Sequence, residues 1–194
     1  MTKSALLVMD VQDGIISRVS DTDYVPRVAG AVAAARTAGV PVIYVVVGFR
    51  VGHPEASKAN KSFGALPPGA FTEQDPGAAI HAGVTPRPDE AVVTKKRVSA
   101  FAGSDLQLLL GSGGVDHLVL TGVATGGVVL STVRQAADLD YRLTVLADGC
   151  ADPDPEIHRL LTEKVFPRQA EVTTIGDWAA TLTAGARSDG SAAR

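Results

Sequence analysis

Three groups that could carry out chemistry lie where strand-like segments of the sequence end. Asp10 directly follows the apolar run Ala5–Met9, Lys95 follows the short run Ala91–Thr94, and the glycine-containing turn Gly122–Gly127 follows a third run. A partly desolvated carboxylate can exchange a proton with a substrate, and a nearby lysine can keep that carboxylate charged or bind an anion. The three segments therefore predict an acid/base site, provided that the fold brings these strand ends together.

Each of these groups also has a purely structural interpretation. Asp10 can cap the segment that follows its strand, and a lysine at a strand end is usually solvated. The sequence alone leaves open whether Lys95, Lys96 or Arg97 turns inward. The amides of the Gly122–Gly127 turn favour an oxyanion or a phosphate. The turn is neither a Walker loop, which requires Gly-Lys-Ser/Thr, nor the dinucleotide fingerprint, which follows the first strand.

The histidines and the single cysteine are weaker candidates. The four histidines lack the spacing of a zinc site, so we predict neither a metal nor another cofactor. His117 and His158 fall in predicted elements and are expected to be structural, whereas His53 and His81 lie in a long segment where either can reach a substrate. Cys150 has no histidine beside it in sequence, and we expect it to be a small packed residue.

The elements that must position these groups alternate between strand and helix. Short valine-rich runs typical of strands buried on both faces alternate with segments of three- and four-residue apolar spacing. The predicted strands are Ala5–Met9, Pro41–Val47, Ala91–Thr94, His117–Thr121, Leu143–Leu146 and Glu171–Ile175. The predicted helices run from Asp23 to Gly39, from Ser104 to Leu110, from Val129 to Ala137, from Asp154 to Val165, and around Trp178 and Leu182.

This alternation predicts a doubly wound, three-layer α/β fold. We expect a mostly parallel sheet of about six strands with helices on both faces. Right-handed crossovers place the carboxyl ends of all parallel strands at one edge, which is where ligands bind in such folds. Asp10, Lys95 and the Gly122–Gly127 turn are therefore expected at the same edge of the sheet.

Composition limits the class of protein further. The 194 residues, of which 45% are hydrophobic and 20% charged, predict one globular domain over residues 1–185 and a flexible tail over residues 186–194. The net charge of -3 argues against nucleic acid as a partner, because a polyanion binder needs a basic face. No apolar run approaches the roughly 20 residues of a membrane span, and a lone cysteine favours a cytoplasmic location.

Three motifs, in this order, make the chain resemble the isochorismatase-like hydrolases, also called the cysteine hydrolases. The strand end Val8–Asp13 is similar to the family's DxQ motif, Lys95–Phe101 to its KxRxSAF motif, and Leu120–Thr125 to its GxAT turn. The resemblance covers about Leu6 to Trp178. It implies a hydrolase acting on a small-molecule substrate.

The resemblance also implies roles for individual residues. By position, Asp10 and Lys95 match the aspartate and the lysine of the family's site. The implied substrate-binding positions are Gln12, Val123, Ala124, Thr125 and Val128. In the family the peptide bond before this alanine is often cis, and a cis bond before Ala124 would indicate a functional position. The long segment holds no Asp-x-His, so the metal site of nicotinamidases is not expected here.

The position of the family's nucleophilic cysteine is occupied here by Val128. Valine has no nucleophilic atom, so a covalent acyl-enzyme route is not expected. True isochorismatases also lack the cysteine, usually with glycine in its place, and use the aspartate as an acid or base on a vinyl ether. Valine is bulkier than glycine, so isochorismate itself is not implied as the substrate.

Three hypotheses about function remain open from the sequence. The first is a noncovalent hydrolase in which Asp10 acts as acid or base and Lys95 is its partner. The second is a non-catalytic binding or assembly module that has lost the family cysteine. The third and weakest is a nucleotide or phosphate binder that uses the helix start at Gly126 and Gly127.

The long segment Gly48–Glu90 interrupts the regular alternation. It contains six prolines and the large apolar residues Phe49, Phe63, Leu66 and Phe71. Loops of this length in compact domains usually serve as lids or partner surfaces. We expect the segment to cover the strand carboxyl ends, and we expect a homodimer or higher homo-oligomer with part of Phe49–Phe71 at or beside the subunit contact. The alternative is a lid packed on its own monomer.

Overall fold

The computed structural model describes the backbone of residues 3–189 and the side chains of residues 3–184. Of the predicted tail, residues 190–194 lie outside the described part. The strands are β1 (Ser4–Met9), β2 (Val42–Val47), β3 (Ala91–Lys95), β4 (His117–Val123), β5 (Arg142–Ala151) and β6 (Glu171–Thr173). The helices are α1 (Asp13–Ile16), α2 (Tyr24–Thr37), α3 (Leu106–Gly113), α4 (Leu130–Asp138), α5 (Pro155–Leu160) and α6 (Ile175–Asp189).

The six strands form one parallel sheet in the order β3-β2-β1-β4-β5-β6. In the centre of the sheet, Met9 of β1 lies opposite Val45 of β2 and Gly122 of β4. The predicted doubly wound α/β fold is therefore confirmed. Its strand order reverses on either side of β1, which is the strand that ends at Asp10.

The sheet separates two hydrophobic cores, which explains why its strands are continuously apolar. On β1, Ala5, Leu7 and Met9 face the core that contains α3 and α4, whereas Leu6 and Val8 face the core that contains α2 and α6. All five side chains are almost fully buried. A strand covered on both faces has no solvent side, so it cannot show the alternating pattern of a half-exposed strand.

Several element boundaries differ from the predicted ones for local reasons. The predicted last strand ended at Ile175, but Ile175 is the first residue of α6. The preceding Thr174 accepts a hydrogen bond from the backbone N–H of Asp177 at 3.1 Å and donates to its carboxylate at 2.8 Å. This cap starts α6 at Ile175, so β6 ends at Thr173, two residues earlier than predicted.

The helix signals at Gly39 and Asp154 were interpreted correctly. Gly39 has a φ of 68°, the left-handed conformation that commonly ends a helix. Asp154 accepts a hydrogen bond from the backbone N–H of Glu156 at 2.9 Å and so caps α5. These two positions fix where α2 ends and where α5 begins.

The long segment between β2 and β3 lies at the carboxyl edge of the sheet. Two single 3-10 turns, Pro76–Ala78 and Ala82–Val84, are its regular elements among the described residues. The side chain of Arg97, just after β3, donates to the carbonyl of Glu55 at 2.9 Å, and His81 N–H donates to Val11 O at 2.9 Å. The segment is therefore bound to the chain after β3 and to the chain after β1, at the edge where Asp10 lies.

None of the described helices is both long enough and apolar enough to cross a membrane.

Candidate active site

The strand ends bring Asp10 and Lys95 together across β2. The two residues follow strands that are two positions apart in the sheet, a separation of roughly 10 Å at about 4.8 Å per strand. The long side chain of Lys95 crosses this distance, and its Nζ lies 2.9 Å from Asp10 Oδ2. Both side chains are almost completely enclosed, with 2% of Lys95 and 8% of Asp10 exposed.

The backbone turns sharply at Asp10 and directs its carboxylate into this edge. Asp10 has a φ of 57°, which is uncommon for a residue with a side chain, and its N–H donates to Val45 O at 2.8 Å. Burial raises the pKa of Asp10 to about 6, although the charge of Lys95 and its hydrogen bond oppose the rise. A carboxyl with such a pKa exchanges protons readily at neutral pH.

Lys95 is the cation that turns inward, which the sequence had left open. Its Nζ also donates to Arg97 O at 3.1 Å. Lys96 and Arg97 are only partly buried and hold the long segment instead: Lys96 Nζ donates to Gly48 O at 2.6 Å, and Arg97 donates to Glu55 O. Of the three consecutive cations, Lys95 therefore pairs with Asp10, whereas Lys96 and Arg97 bind the long segment.

Gln12, predicted to bind substrate, uses its side-chain amide for internal hydrogen bonds. Its Nε2 donates to Val47 O at 3.0 Å and to Ala78 O at 2.8 Å, and its Oε1 accepts from Val47 N–H at 2.8 Å. The side chain is fully buried. Gln12 thus ties the end of β1 to the end of β2 and to the long segment.

The turn after β4 lies beside the end of β1, because the two strands are neighbours. The peptide bond between Val123 and Ala124 is cis. The chain then forms one wide helical turn over Thr125–Val129 before α4 begins. Val128 is 2% exposed and packs in the core on the α4 side of the sheet.

The backbone amide at the start of this turn is bound to a carboxylate of the protein itself. Gly126 N–H donates to Asp152 Oδ2 at 2.7 Å, and Gly127 N–H donates to Ala124 O at 3.0 Å. The amides that a phosphate would need are thus used within the protein, and the charge of Asp152 opposes an anion. The phosphate hypothesis is therefore not supported.

The histidines and the cysteine have local partners. His53 bonds Ala70 O at 2.8 Å, and His81 Nδ1 accepts from Gly83 N–H at 3.0 Å. His158 lies on α5, and its Nδ1 is 2.8 Å from Thr125 Oγ1. Cys150 is buried, and burial raises the pKa of its thiol to about 12. It therefore stays a protonated thiol, which is a poor nucleophile.

The described residues contain no group of three or more His, Cys, Asp or Glu side chains arranged to hold a metal ion. Two grooves open at the same edge as the buried pair. One, of about 620 Å³, is lined by Gly48, Phe49 and Lys96 among others, and one of about 630 Å³ includes Ala124 and Gly127. Asp10 and Lys95 line neither groove, so the pair is closed off in this conformation.

Tyr24, the first residue of α2, was not among the predicted site residues. Its side chain is fully buried, and its hydroxyl has no hydrogen-bond partner among the described residues. The signal in the sequence was its place directly after the predicted helix start at Asp23, since the first helix after β1 begins at the edge that carries Asp10.

This architecture is typical of an α/β enzyme whose site lies at the carboxyl edge of a parallel sheet. The chain belongs to the isochorismatase family of hydrolases: the family profile described as "Isochorismatase domain" matches residues 4–177. Its relatives include the ureidoacrylate amidohydrolase RutB of Stutzerimonas stutzeri, which is 34% identical over 80% of this chain and 72% of that protein.

Two further relatives extend the comparison. A probable inactive nicotinamidase of Arabidopsis thaliana is 30% identical over 92% of this chain and 96% of that protein. Among solved structures, an isochorismatase family protein from Burkholderia thailandensis superposes with a TM-score of 0.83 at 30% identity. That similarity covers 93% of this chain and 96% of the other.

Proposed function

We propose that the protein is an isochorismatase-family hydrolase that acts on a small molecule without a cysteine nucleophile, with Asp10 as acid/base and Lys95 as its partner. The observation that carries this proposal is the buried pair. Asp10 Oδ2 lies 2.9 Å from Lys95 Nζ, whereas Asp10 Oδ1 has no hydrogen-bond partner among the described residues. One oxygen is thus held by the cation, and the other is free to exchange a proton.

The pair suits the activation of water. Asp10 Oδ1 accepts a proton from a water molecule while the water oxygen bonds to the electrophilic carbon of the substrate. Asp10 then returns that proton to the leaving group as its bond to the carbon breaks. Lys95 stabilises negative charge that develops beside it.

We further propose that Val128 occupies the position of the family's nucleophilic cysteine. In support, Val128 lies in the first turn after β4, four residues beyond Ala124, and its side chain packs into the core. Cys150 is no substitute, because its thiol is buried and has a pKa of about 12. A covalent thioester intermediate is therefore not part of the proposed mechanism.

The alternative is a non-catalytic binding or assembly module. The enclosure of the site favours it, since Asp10 and Lys95 line neither of the adjacent grooves. The similarity to a relative described as a probable inactive nicotinamidase also supports a non-catalytic module. Under the hydrolase proposal, part of the long segment must move to admit substrate. We place that movement where Arg97 contacts Glu55, because this hydrogen bond joins the segment to the chain just after Lys95.

The test is a hydrolysis screen with matched variants. The panel comprises amides, esters and vinyl ethers, and it includes ureido amides because one relative is named a ureidoacrylate amidohydrolase. For any substrate that the protein cleaves, Asp10→Asn and Lys95→Met are expected to lower kcat/KM by at least about 100-fold, the usual size of an acid/base contribution. Asp13→Asn changes a nearby exposed carboxylate and is expected to retain activity.

Two results would contradict the proposal. Undiminished hydrolysis by the Asp10→Asn variant would remove Asp10 from the mechanism. No hydrolysis of any compound in the panel, together with ligand-dependent stabilisation that Asp10→Asn abolishes, would favour the binding module instead.

We also propose a homo-oligomer, a small-molecule partner and a cytoplasmic location. Support for the oligomer comes from the long segment, which exposes 60% of Val51 next to the buried Phe49. Support for the location comes from the single cysteine, which has no partner within the chain for a disulfide.

A further inference from the structure

Two buried polar atoms at the carboxyl edge of the sheet lack a hydrogen-bond partner among the described residues. They are Asp10 Oδ1 and the hydroxyl oxygen of Tyr24. Buried polar groups in proteins are nearly always satisfied, and where no protein group serves, a buried water molecule usually does. One oxygen is an acceptor and the other carries a donor proton, so a single water molecule could satisfy both.

The fold places these two atoms in the same region. Tyr24 begins α2, the first long helix after β1, and this helix starts at the carboxyl edge of the sheet. The Tyr24 side chain belongs to the same core cluster as Val8 and Val11, which flank Asp10 in sequence. Burial raises the pKa of Tyr24 well above its ordinary value, and the nearby Cys150 and Asp10 raise it further.

We propose that Tyr24 is a positioning residue for Asp10: the two side chains hold one water molecule between Tyr24 Oη and Asp10 Oδ1. Tyr24 donates its hydroxyl proton to this water, and the water donates to Oδ1. Lys95 holds the other carboxylate oxygen, so both oxygens of Asp10 are fixed. The catalytic consequence of this arrangement rests on the proposed function, but the arrangement itself does not.

Lys95, Cys150 and Arg27 are charged or titratable groups near the two side chains, and His158 lies close to Arg27 on the adjacent α5. Lys95 faces Asp10 and pairs with it at 2.9 Å. Cys150 faces Tyr24 and stays protonated, since burial raises the pKa of its thiol to about 12. Arg27, one turn along α2, forms a salt bridge with Asp21 and stays charged. The titration of Asp10 is therefore followed through its own carboxyl signal, which His158 does not contribute to.

The experiment is an NMR titration of the full chain with ¹³C-labelled aspartate carboxyl groups. The Asp10 signal is assigned by its loss in the Asp10→Asn variant. Tyr24→Phe removes the hydroxyl that holds this water and is expected to raise the pKa of Asp10 by about one unit, because loss of the water's hydrogen bond to the ionised carboxylate disfavours the charged form by about that amount.

Tyr44→Phe is the matched control. Tyr44 is equally buried in the same core cluster, but its hydroxyl lies 3.3 Å from Arg36 near the other end of α2. This variant is expected to leave the pKa of Asp10 unchanged. An unchanged pKa in Tyr24→Phe, or an equal rise in both variants, would overturn the inference.

A crystal structure of the unaltered protein provides a second measurement that does not depend on how the variants fold. The inference requires an ordered water molecule within hydrogen-bond distance of both Tyr24 Oη and Asp10 Oδ1. A Tyr24 hydroxyl bonded to any other group would contradict it. Neither measurement uses a substrate, so a positive result beside a failed hydrolysis screen would reject the proposed function and keep the role of Tyr24.

Discussion

Asp10 experiences two opposing effects that leave its pKa near neutrality. Burial disfavours the carboxylate, whereas Lys95 at 2.9 Å favours it, and the balance raises the pKa to about 6. At pH 7 most molecules therefore carry ionised Asp10 beside a cation. This state suits a base better than an acid, so the proposed reaction begins with proton abstraction from water.

This balance predicts the pH dependence of activity. We expect kcat/KM to rise by about tenfold per pH unit below pH 6 and to level off above it, because only ionised Asp10 accepts a proton. The free energy of unfolding changes with pH in the opposite direction. Protonated Asp10 favours the folded state, and this contribution to stability is lost as pH rises from 3.8 to about 6. Rates measured from pH 4.5 to 8 test the first expectation, and a profile that is flat through pH 6 would contradict it.

Val128 offers a second test at the scale of single residues. If it occupies the position of the family cysteine, Val128→Cys is expected to add amidase activity at least about tenfold above that of the unaltered protein, because the Asp10–Lys95 pair is already in place. The change removes one buried methyl group and is expected to lower the free energy of unfolding by about 1 kcal/mol.

Val129→Cys is the control for that experiment. Val129 is the neighbouring residue and is also fully buried in the same core. A thiol there is expected to add no activity. Activity gained equally by both variants would show that any thiol in this turn suffices, and a Val128→Cys variant that folds but stays inactive would argue against the assigned position.

At the scale of elements, Gln12 joins three parts of the carboxyl edge. Its amide bonds both the N–H and the carbonyl of Val47 and the carbonyl of Ala78. We expect Gln12→Leu to lower the free energy of unfolding by about 3 kcal/mol, because it leaves these buried backbone groups without partners. Urea denaturation of this variant and of Gln107→Leu, which alters an exposed position on α3, measures the difference. A loss no larger than that of the control would contradict this role.

The elements themselves could be predicted from sequence because their signals are local. Apolar runs marked the strands, and Asp154 and Gly39 marked helix ends, so the edge shared by Asp10 and Lys95 followed from topology. The partners of Gln12 and Gly126 could not be predicted in this way. Val47 is 35 residues from Gln12, and Asp152 is 26 residues from Gly126, and periodicity carries no information about such pairs. The choice of Lys95 as the site lysine was predicted from the resemblance to the family and not from the pattern of the sequence. The buried hydroxyl of Tyr24 was not predicted.

At the scale of the whole molecule, the long segment lies against the edge of the sheet that carries Asp10 and Lys95, and it also exposes the apolar side chain of Val51. Hydrogen bonds from Gln12, Lys96 and Arg97 to its backbone carbonyls hold the segment against the chain after β1 and the chain after β3. On its outer side, 60% of Val51 is exposed. We propose that this part of the segment contacts a second copy of the chain, which would couple assembly to access to the proposed site.

We therefore expect the protein to form at least a dimer through this segment. Light scattering at micromolar concentration is expected to give at least twice the 20.0 kDa mass of the chain. Val51→Asp places a charge in the proposed contact and is expected to shift the particle toward the monomer mass, because a buried unpaired charge strongly disfavours association. Leu108→Asp is the control, since Leu108 is 75% exposed on α3 and outside the long segment. A 20 kDa particle for the unaltered protein, or equal dissociation of both variants, would contradict an interface at this segment.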